Sequence, residues 1–577
     1  MKKFLLLLLS IILYSKESCL NCHKNTTNID NYHQIKKMGC ASCHGGDINK
    51  TTKKMAHKNM VPNPTRLEHA KIFCSKCHQN IINRISKSIM NTQSGILGVL
   101  KYQFKESPTI MQNGGIESLK NKPTSKQSLA ESHFSKLCAA CHINQKEEDF
   151  KRVPKRGGGC VDCHRGSEQK SPFRLNGFKH PKFTTIIKNS TCLKCHNRSN
   201  RIGLSYIGKF ESEGYNHYKN GKVDNKLDIH RRFYKLPADI HHSKGKLLCI
   251  DCHSEVGVMG DGKSHKHMEG AVDISCIDCH NPTFVDANSY PLAIKLAIIN
   301  GKVPIPTDKV AITKRKHTPL YNLQKSNNNI SFYRKSDGKR VNLPLLKGIY
   351  HNQDFHKRLE CVACHSQWIA SCYGCHEVYI KNAKQFDWIK HKKTKGQWQE
   401  LRSYLRYEDS TLAIGYNDKI MPAAPGCQVI MNIYDKNGYK HKFDSLAYGA
   451  WSPHTTSKSK KCKECHINSS TVGFGQGIMH YKKDKIEFIP YFNSKKSGFD
   501  FNFNIDALTD INGSQNQSFS RDRARAFKRK EINKIISAYK CIICHNRWDD
   551  KIYHDFNRSK ELFFNKKTEC AKELLKR

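Results

Sequence analysis

Hydrophobic positions are thinly spread along the 577 residues. The dense apolar run at the start, Phe4 to Tyr14, follows Lys2 and Lys3 and precedes a small residue, Ser15. That pattern predicts a secretory signal peptide over 1–18. The run is too short to span a bilayer, and no later one approaches the roughly 18–20 apolar residues a crossing helix needs. Strand-like residues flank two turn signals, Asp337-Gly338 in Ser331–Val341 and Asn437-Gly438 in Val429–Tyr439, and each predicts a β-hairpin. Residues 91–130, rich in Ser, Lys, Asn and Gly, read as an exposed loop or linker.

Composition sharpens the problem. Hydrophobic residues make up 38% of the chain and charged residues 26%, so side chains alone supply little core for this length. Yet the chain carries 26 Cys and 31 His. Something other than aliphatic side chains must fill the interior.

The cysteines fall into pairs two residues apart, each followed at once by histidine: Cys19-Cys22-His23, Cys40-Cys43-His44, Cys74-Cys77-His78, Cys138-Cys141-His142, Cys160-Cys163-His164 and Cys192-Cys195-His196. Six more follow: Cys249-Cys252-His253, Cys276-Cys279-His280, Cys361-Cys364-His365, Cys372-Cys375-His376, Cys462-Cys465-His466 and Cys541-Cys544-His545. Only Cys427 and Cys570 stand outside the array, as a possible mutual disulfide, buried thiols or a link to another chain. C-x-x-C-H is the attachment motif of c-type haem. Two thiols three positions apart on a helical turn reach both vinyl groups of one porphyrin, and the adjacent histidine binds the iron. Zinc ribbons need two pairs per metal and no following histidine, and a thioredoxin-like motif occurs once per domain. The expected cofactors are twelve covalent haems c.

With this array the chain resembles the large multihaem c-type cytochromes of anaerobically respiring bacteria. The resemblance spans 19–545, and Cys361-Val-Ala-Cys-His followed closely by Cys372-Tyr-Gly-Cys-His is similar to their tightly packed haem pairs. It implies a haem-cored fold, mostly irregular, with short α-helices and a few β-hairpins. Motif density predicts three haems over 19–90, five over 131–285 and four over 361–577, with a haem-free hairpin insertion at 286–360.

The second axial ligand separates conductor from catalyst, because a bis-histidine iron has no place for substrate. Nineteen histidines lie outside the motifs. His69, His133 and His356 each stand five positions before a motif, and His242 and His454 seven and eight before theirs. These, with His180, His241 and His267, are the candidate distal ligands. His217, His230, His265, His317, His351 and His391 are further ones. His241-His242 resembles the adjacent histidine pair of small multihaem cytochromes. The expectation is an electron relay with mostly bis-histidine haems. The alternative is a multihaem oxidoreductase with one substrate-binding haem, acting on nitrogen or sulfur oxyanions or hydroxylamine. Nitrite-reducing relatives carry C-x-x-C-K, which is absent here.

A formal charge of +48 alone suggests nucleic acid or an anionic membrane. Counting each ferric haem as about −1 and each ferrous haem as about −2 lowers it to roughly +36 and roughly +24. Nucleic acid is a poor partner for an exported cytochrome. Donor and acceptor redox proteins, an anionic surface or an anionic terminal acceptor fit better, with Arg521 to Lys534 as one basic run for docking. The expected compartment is the periplasm, with the outer membrane and the exterior as alternatives.

Overall fold

The computed structural model describes residues 19–574 except 24–25, 27–28, 147–155, 167–180, 198–201, 212–217, 220–221, 224–232, 347–350, 352–353, 427–428, 436–437, 483–484, 493–502 and 548–549. The expected signal segment 1–18, His180, His217, His230 and Cys427 lie outside the described residues.

Short helices are set at many of the cysteine motifs. Helices Cys19–Cys22, Ala41–His44, Val161–His164, Cys249–Cys252, Cys276–His280, Cys361–His365 and Lys463–His466 each coincide with one. Two of these turns read Cys-Ile-Asp-Cys, and the aspartate, third in the helix, reaches back to the amide of the N-cap residue. Asp251 Oδ2 accepts from the Leu248 N–H at 2.6 Å and Asp278 Oδ2 from the Ser275 N–H at 2.7 Å. A carboxylate there satisfies an otherwise unpaired amide and complements the helix dipole.

Residues 91–130 differ from the expected loop. They hold helices Ser94–Gln103 and Ile116–Lys120 and enter a third, Leu129–His133. Leu97, Leu100, Ile116 and Leu119 pack with Phe134 and Ile389 in a buried cluster. The polar composition that suggested a linker belongs to the turns between these helices, whose few apolar residues all face inward.

The second half carries more sheet than a few hairpins. Strands Thr283–Asp286, Lys309–Ile312, Pro319–Ser326, Asn329–Tyr333 and Arg340–Val341 form an antiparallel meander in chain order. Its Leu320, Leu323 and Phe332 pack with Leu247 and, at the edge, with Cys279. The Asp337-Gly338 turn joins its last two strands, and Gly338 adopts the positive φ of 73° that a side chain would resist.

A second sheet orders Lys392–Glu408, Ile369–Asp387, Val429–Asp435 and Gly438–Ser445, the last two being the expected second hairpin. The tenth motif lies in its strand Ile369–Asp387 and not on a helical turn. In a regular strand, residues three apart point to opposite faces. Here the pairing with Lys392–Glu408 shifts register between Cys372 and Cys375, and such a bulge re-aims a side chain. Among the described residues no helix is long and apolar enough to cross a membrane.

Candidate functional site

The motif histidines share a local device. His44, His164, His280, His365 and His466 each donate Nδ1–H to a backbone carbonyl, of Val61, Thr184, Pro344, Ser457 and Ile535, at 2.6–3.0 Å. His545 donates to Asp550 Oδ2 at 2.8 Å. Fixing the proton on Nδ1 puts the lone pair on Nε2 and orients the ring, as metal-binding histidines require. Five histidines outside the motifs are held the same way. His57, His69 and His454 donate to the carbonyls of Lys53, Asn63 and Ser452, and His33 and His241 to the carboxylates of Asp30 and Asp239.

Six motif histidines face a partner from outside the motifs. The ring centres lie 6.1 Å apart for His23–His57, 5.9 Å for His33–His78, 6.0 Å for His241–His280 and 6.2 Å for His253–His454. They lie 6.4 Å apart for His351–His365 and 6.1 Å for His356–His466. Two axial imidazoles on one metal, at about 2.0 Å per metal–nitrogen bond and about 1.1 Å from nitrogen to ring centre, give about 6.2 Å. The pairs fit that span. Burial pushes His253 and His356 down to about 4, which keeps them in the neutral, ligating form.

Of the expected distal ligands, His241, His356 and His454 are in these pairs, as is His351. His33 and His57 were not expected. Neither serves its nearest motif in sequence: His33, ahead of the second motif, meets the third, and His57, behind the second, meets the first. Their signal was the Asp30-x-x-His33 spacing and the short helix Lys53–Ala56 whose first carbonyl holds His57. His69 has the ligand-type Nδ1 tie but is not in these six pairs. His242 lies against Tyr206, ring centres 5.2 Å apart. His267 is pushed down to about 4 by burial, beside Arg521, and its Nε2 has no hydrogen-bond partner.

His133 is held differently from the histidines of these pairs. Its Nε2 is bonded to Glu377 at 2.7 Å, both side chains buried, with the Trp398 ring centre 4.9 Å away. Burial would push His133 down, but the Glu377 carboxylate reverses this and raises it to about 10. His142 also departs from the motif pattern. It is buried and its Nε2 donates to Gln145 Oε1 at 3.0 Å. At the fourth motif, therefore, the residues do not fit the arrangement seen in the six pairs.

The motifs converge on one connected cavity of about 3140 Å³, several times the roughly 300–1,000 Å³ of a single small-molecule site. Cysteines of the fourth to tenth motifs line it. Neighbouring motifs touch through their thiols: Cys141 with Cys195, Cys192 with Cys249, and Cys276 with Cys361 are in hydrogen-bonding contact. Cys74 is in electrostatic range of Cys43 and Cys160, Cys163 of Cys192, Cys279 of Cys252, and Cys364 of Cys462. Tyr553 lies near both Cys462 and Cys541. The motifs thus form a line, second–third–fifth–sixth–seventh–eighth–ninth–eleventh–twelfth, with the fourth branching from the sixth. Cys570 falls beside Cys541 and Cys544.

At the tenth motif the side chains of Cys375 and His376 are outside the described set. Between its cysteines, buried Tyr373 donates its hydroxyl to buried Glu408, and Arg406 lies over its ring and 3.4 Å from Asp506. Burial raises both Glu408 and Asp506. Among the described residues no group of three or more His, Cys, Asp or Glu side chains gathers as a bare-metal site would.

Comparison with known proteins gives no match: no family model, no curated sequence and no solved structure aligns with the chain.

Proposed function

We propose that the chain is an exported dodecahaem c-type cytochrome that relays electrons in anaerobic respiration. The six facing histidine pairs carry this reading, each joining a C-x-x-C-H histidine to one from outside the motifs at 5.9–6.4 Å. Bound haem would supply one-electron ferric–ferrous exchange. The protein's part is to hold and tune it. The cysteine pairs would tether it and the two facing histidines would hold its iron, while the carbonyl or carboxylate behind an Nδ1 fixes that ring and raises its basicity. Paired imidazoles leave no position for substrate, which suits transfer over chemistry. The thiol contacts bring successive tethers together, supporting a continuous route. Periplasmic location and redox-protein partners at its ends belong to the same reading.

The test is the intact mass and redox-dependent spectrum of the purified, exported protein. Twelve haem masses above the mature polypeptide, with low-spin bands titrating over a broad low-potential range, are expected. A colourless protein of polypeptide mass refutes the reading.

A further inference from the structure

The end of the thiol line nearest the N-terminus is open to solvent. Segment 47–61 serves two motifs there: the Val61 carbonyl holds Nδ1 of His44 in the second, and His57 faces His23 of the first. The first motif is thereby joined to the second, where the line begins. Cys22 and His23 are both exposed, so another protein can come up against this tether.

The surface around the pair is basic. Helix Lys53–Ala56 presents Lys53, Lys54 and Met55 to solvent just ahead of His57, and Lys58, also exposed, follows it. Met55 is 49% exposed, an apolar contact among cations. Residues 19–87 hold 12 Lys and Arg against three carboxylates, Asp30, Asp47 and Glu68. Each of the three is engaged elsewhere: Asp30 with His33, Asp47 with the Asn49 N–H, and Glu68 with Arg66 and Asn144. Segments packed against this end bring more base. Exposed Lys182 precedes Phe183, whose N–H donates to the Ile29 carbonyl, and Lys295 is in electrostatic range of His78. Counting three ferric haems at about −1 each still leaves an excess of roughly six positive charges. At the twelfth motif the balance is closer, with 10 Lys and Arg against six carboxylates over 538–577 and Lys572 paired to Glu569 at 2.7 Å.

We infer that the face formed by Lys53, Lys54, Met55 and Lys58 docks an acidic redox protein, which exchanges electrons one at a time with the haem tethered at Cys19 and Cys22. The inference rests on the haem reading above and adds to it the port and the charge of the partner. Each transfer changes one iron between ferric and ferrous and the partner by one electron, with no bond made or broken. A cationic rim steers an acidic partner into encounter, and the apolar centre gives it contact once there.

Reduced flavodoxin, an acidic one-electron donor, serves as the probe, mixed with the oxidised holoprotein in a stopped-flow spectrometer. The second-order rate of haem reduction should fall about tenfold or more between about 20 mM and about 500 mM salt. Lys53→Glu with Lys54→Glu and Lys58→Glu should slow it about tenfold at low salt. His57 bonds the backbone carbonyl of Lys53, which these substitutions keep, so intact mass should still show twelve haems. Lys560→Glu with Lys566→Glu and Lys567→Glu makes the same change of charge at the other end and should slow the rate less than about twofold. Equal slowing by the two variants, or a rate indifferent to salt, overturns the inference and leaves the relay standing. Binding to phosphatidylglycerol vesicles that is lost in the Lys53, Lys54 and Lys58 variant, with its flavodoxin rate unchanged, overturns it in favour of a membrane contact. Absence of haem from the mass overturns the relay itself.

Discussion

Asp239→Asn isolates the part played by the groups behind the axial histidines. Asp239 is buried; its Oδ1 accepts from His241 Nδ1 at 2.8 Å and from the His241 N–H at 2.9 Å, while Oδ2 accepts from the Thr456 N–H at 2.7 Å. His241 faces His280 at 6.0 Å, so the point midway between the rings lies about 6.5 Å from the carboxylate by summing the hydrogen bond, the imidazole and half the ring separation. A unit charge at about 6.5 Å with an effective dielectric of about 20 contributes about 2.5 kcal/mol. Since about 1.4 kcal/mol is about 59 mV for one electron, removing that charge should raise one haem's potential by about 100 mV. The sign follows because the anion favours the ferric form. Asparagine keeps an oxygen acceptor, so the cap on His241 and the fold survive, at a cost of about 1 kcal/mol in stability. Spectroelectrochemical titration of the holoprotein should show about one-twelfth of the absorbance change moving upward and the rest unmoved. An unchanged titration, or a downward move, in a variant with the wild-type far-UV spectrum refutes the claim that Asp239 tunes this site.

Three further outcomes are expected. His57→Ala and His33→Ala each expose one iron, so each variant should gain a single high-spin, carbon-monoxide-binding haem with twelve still attached; a spectrum like wild type refutes the pairing. Glu408 is raised by burial, so its protonated form favours the folded state. That contribution is full below the unfolded carboxyl value of about 4.5 and is lost as pH rises toward the folded one. Thermal stability should therefore fall over that window in wild type and fall less in Glu408→Gln, an equal slope refuting it. Glu531 is lowered to about 2, against burial, by Arg525, by the Lys528 N–H and by Arg358. Its stabilisation is present above about pH 4.5 and lost as pH falls through about 2. Glu531→Gln, which keeps an oxygen acceptor but loses the charge facing Arg525 and the N-terminus of helix Arg529–Ser537, should cost about 1 kcal/mol at neutral pH and little at pH 2, read from denaturant midpoints.

The motifs were legible because each is local: two thiols and an imidazole within five residues. The two hairpins were legible too: Asp337-Gly338 sets a turn that flanking strand formers extend, and the strands on either side of the second signal pair as a hairpin, its turn residue Asn437 lying outside the described residues. The histidines that face the motif histidines were only partly so. His454 and His356 lie close ahead of motifs, but His454 meets the seventh motif and His356 the eleventh, and His33 and His57 serve partners across the fold. Sequence spacing carries no record of such long-range approach. Residues 91–130 misled because burial there depends on which few apolar residues face inward, as Leu97 and Leu119 do, and not on average polarity. The strand at the tenth motif was hidden for a related reason. Cys372-Tyr-Gly-Cys-His alone reads as a turn, and the residues that pair with it, near Arg402 to Arg406, return to it only at the far end of a long hairpin.

Along the line, the histidines of the seventh, eighth, ninth and eleventh motifs each face a second one, and the seventh, eighth and ninth each have a thiol beside the next pair. The fourth motif stands off the line, touching it through Cys141 and Cys195. The His133–Glu377 bond ties this branch to the strand Ile369–Asp387, 244 residues away in sequence. Losing that bond would leave a buried carboxylate unpaired at a cost of several kcal/mol, so the branch is fixed to the second sheet by an ion pair and not by the line of thiols.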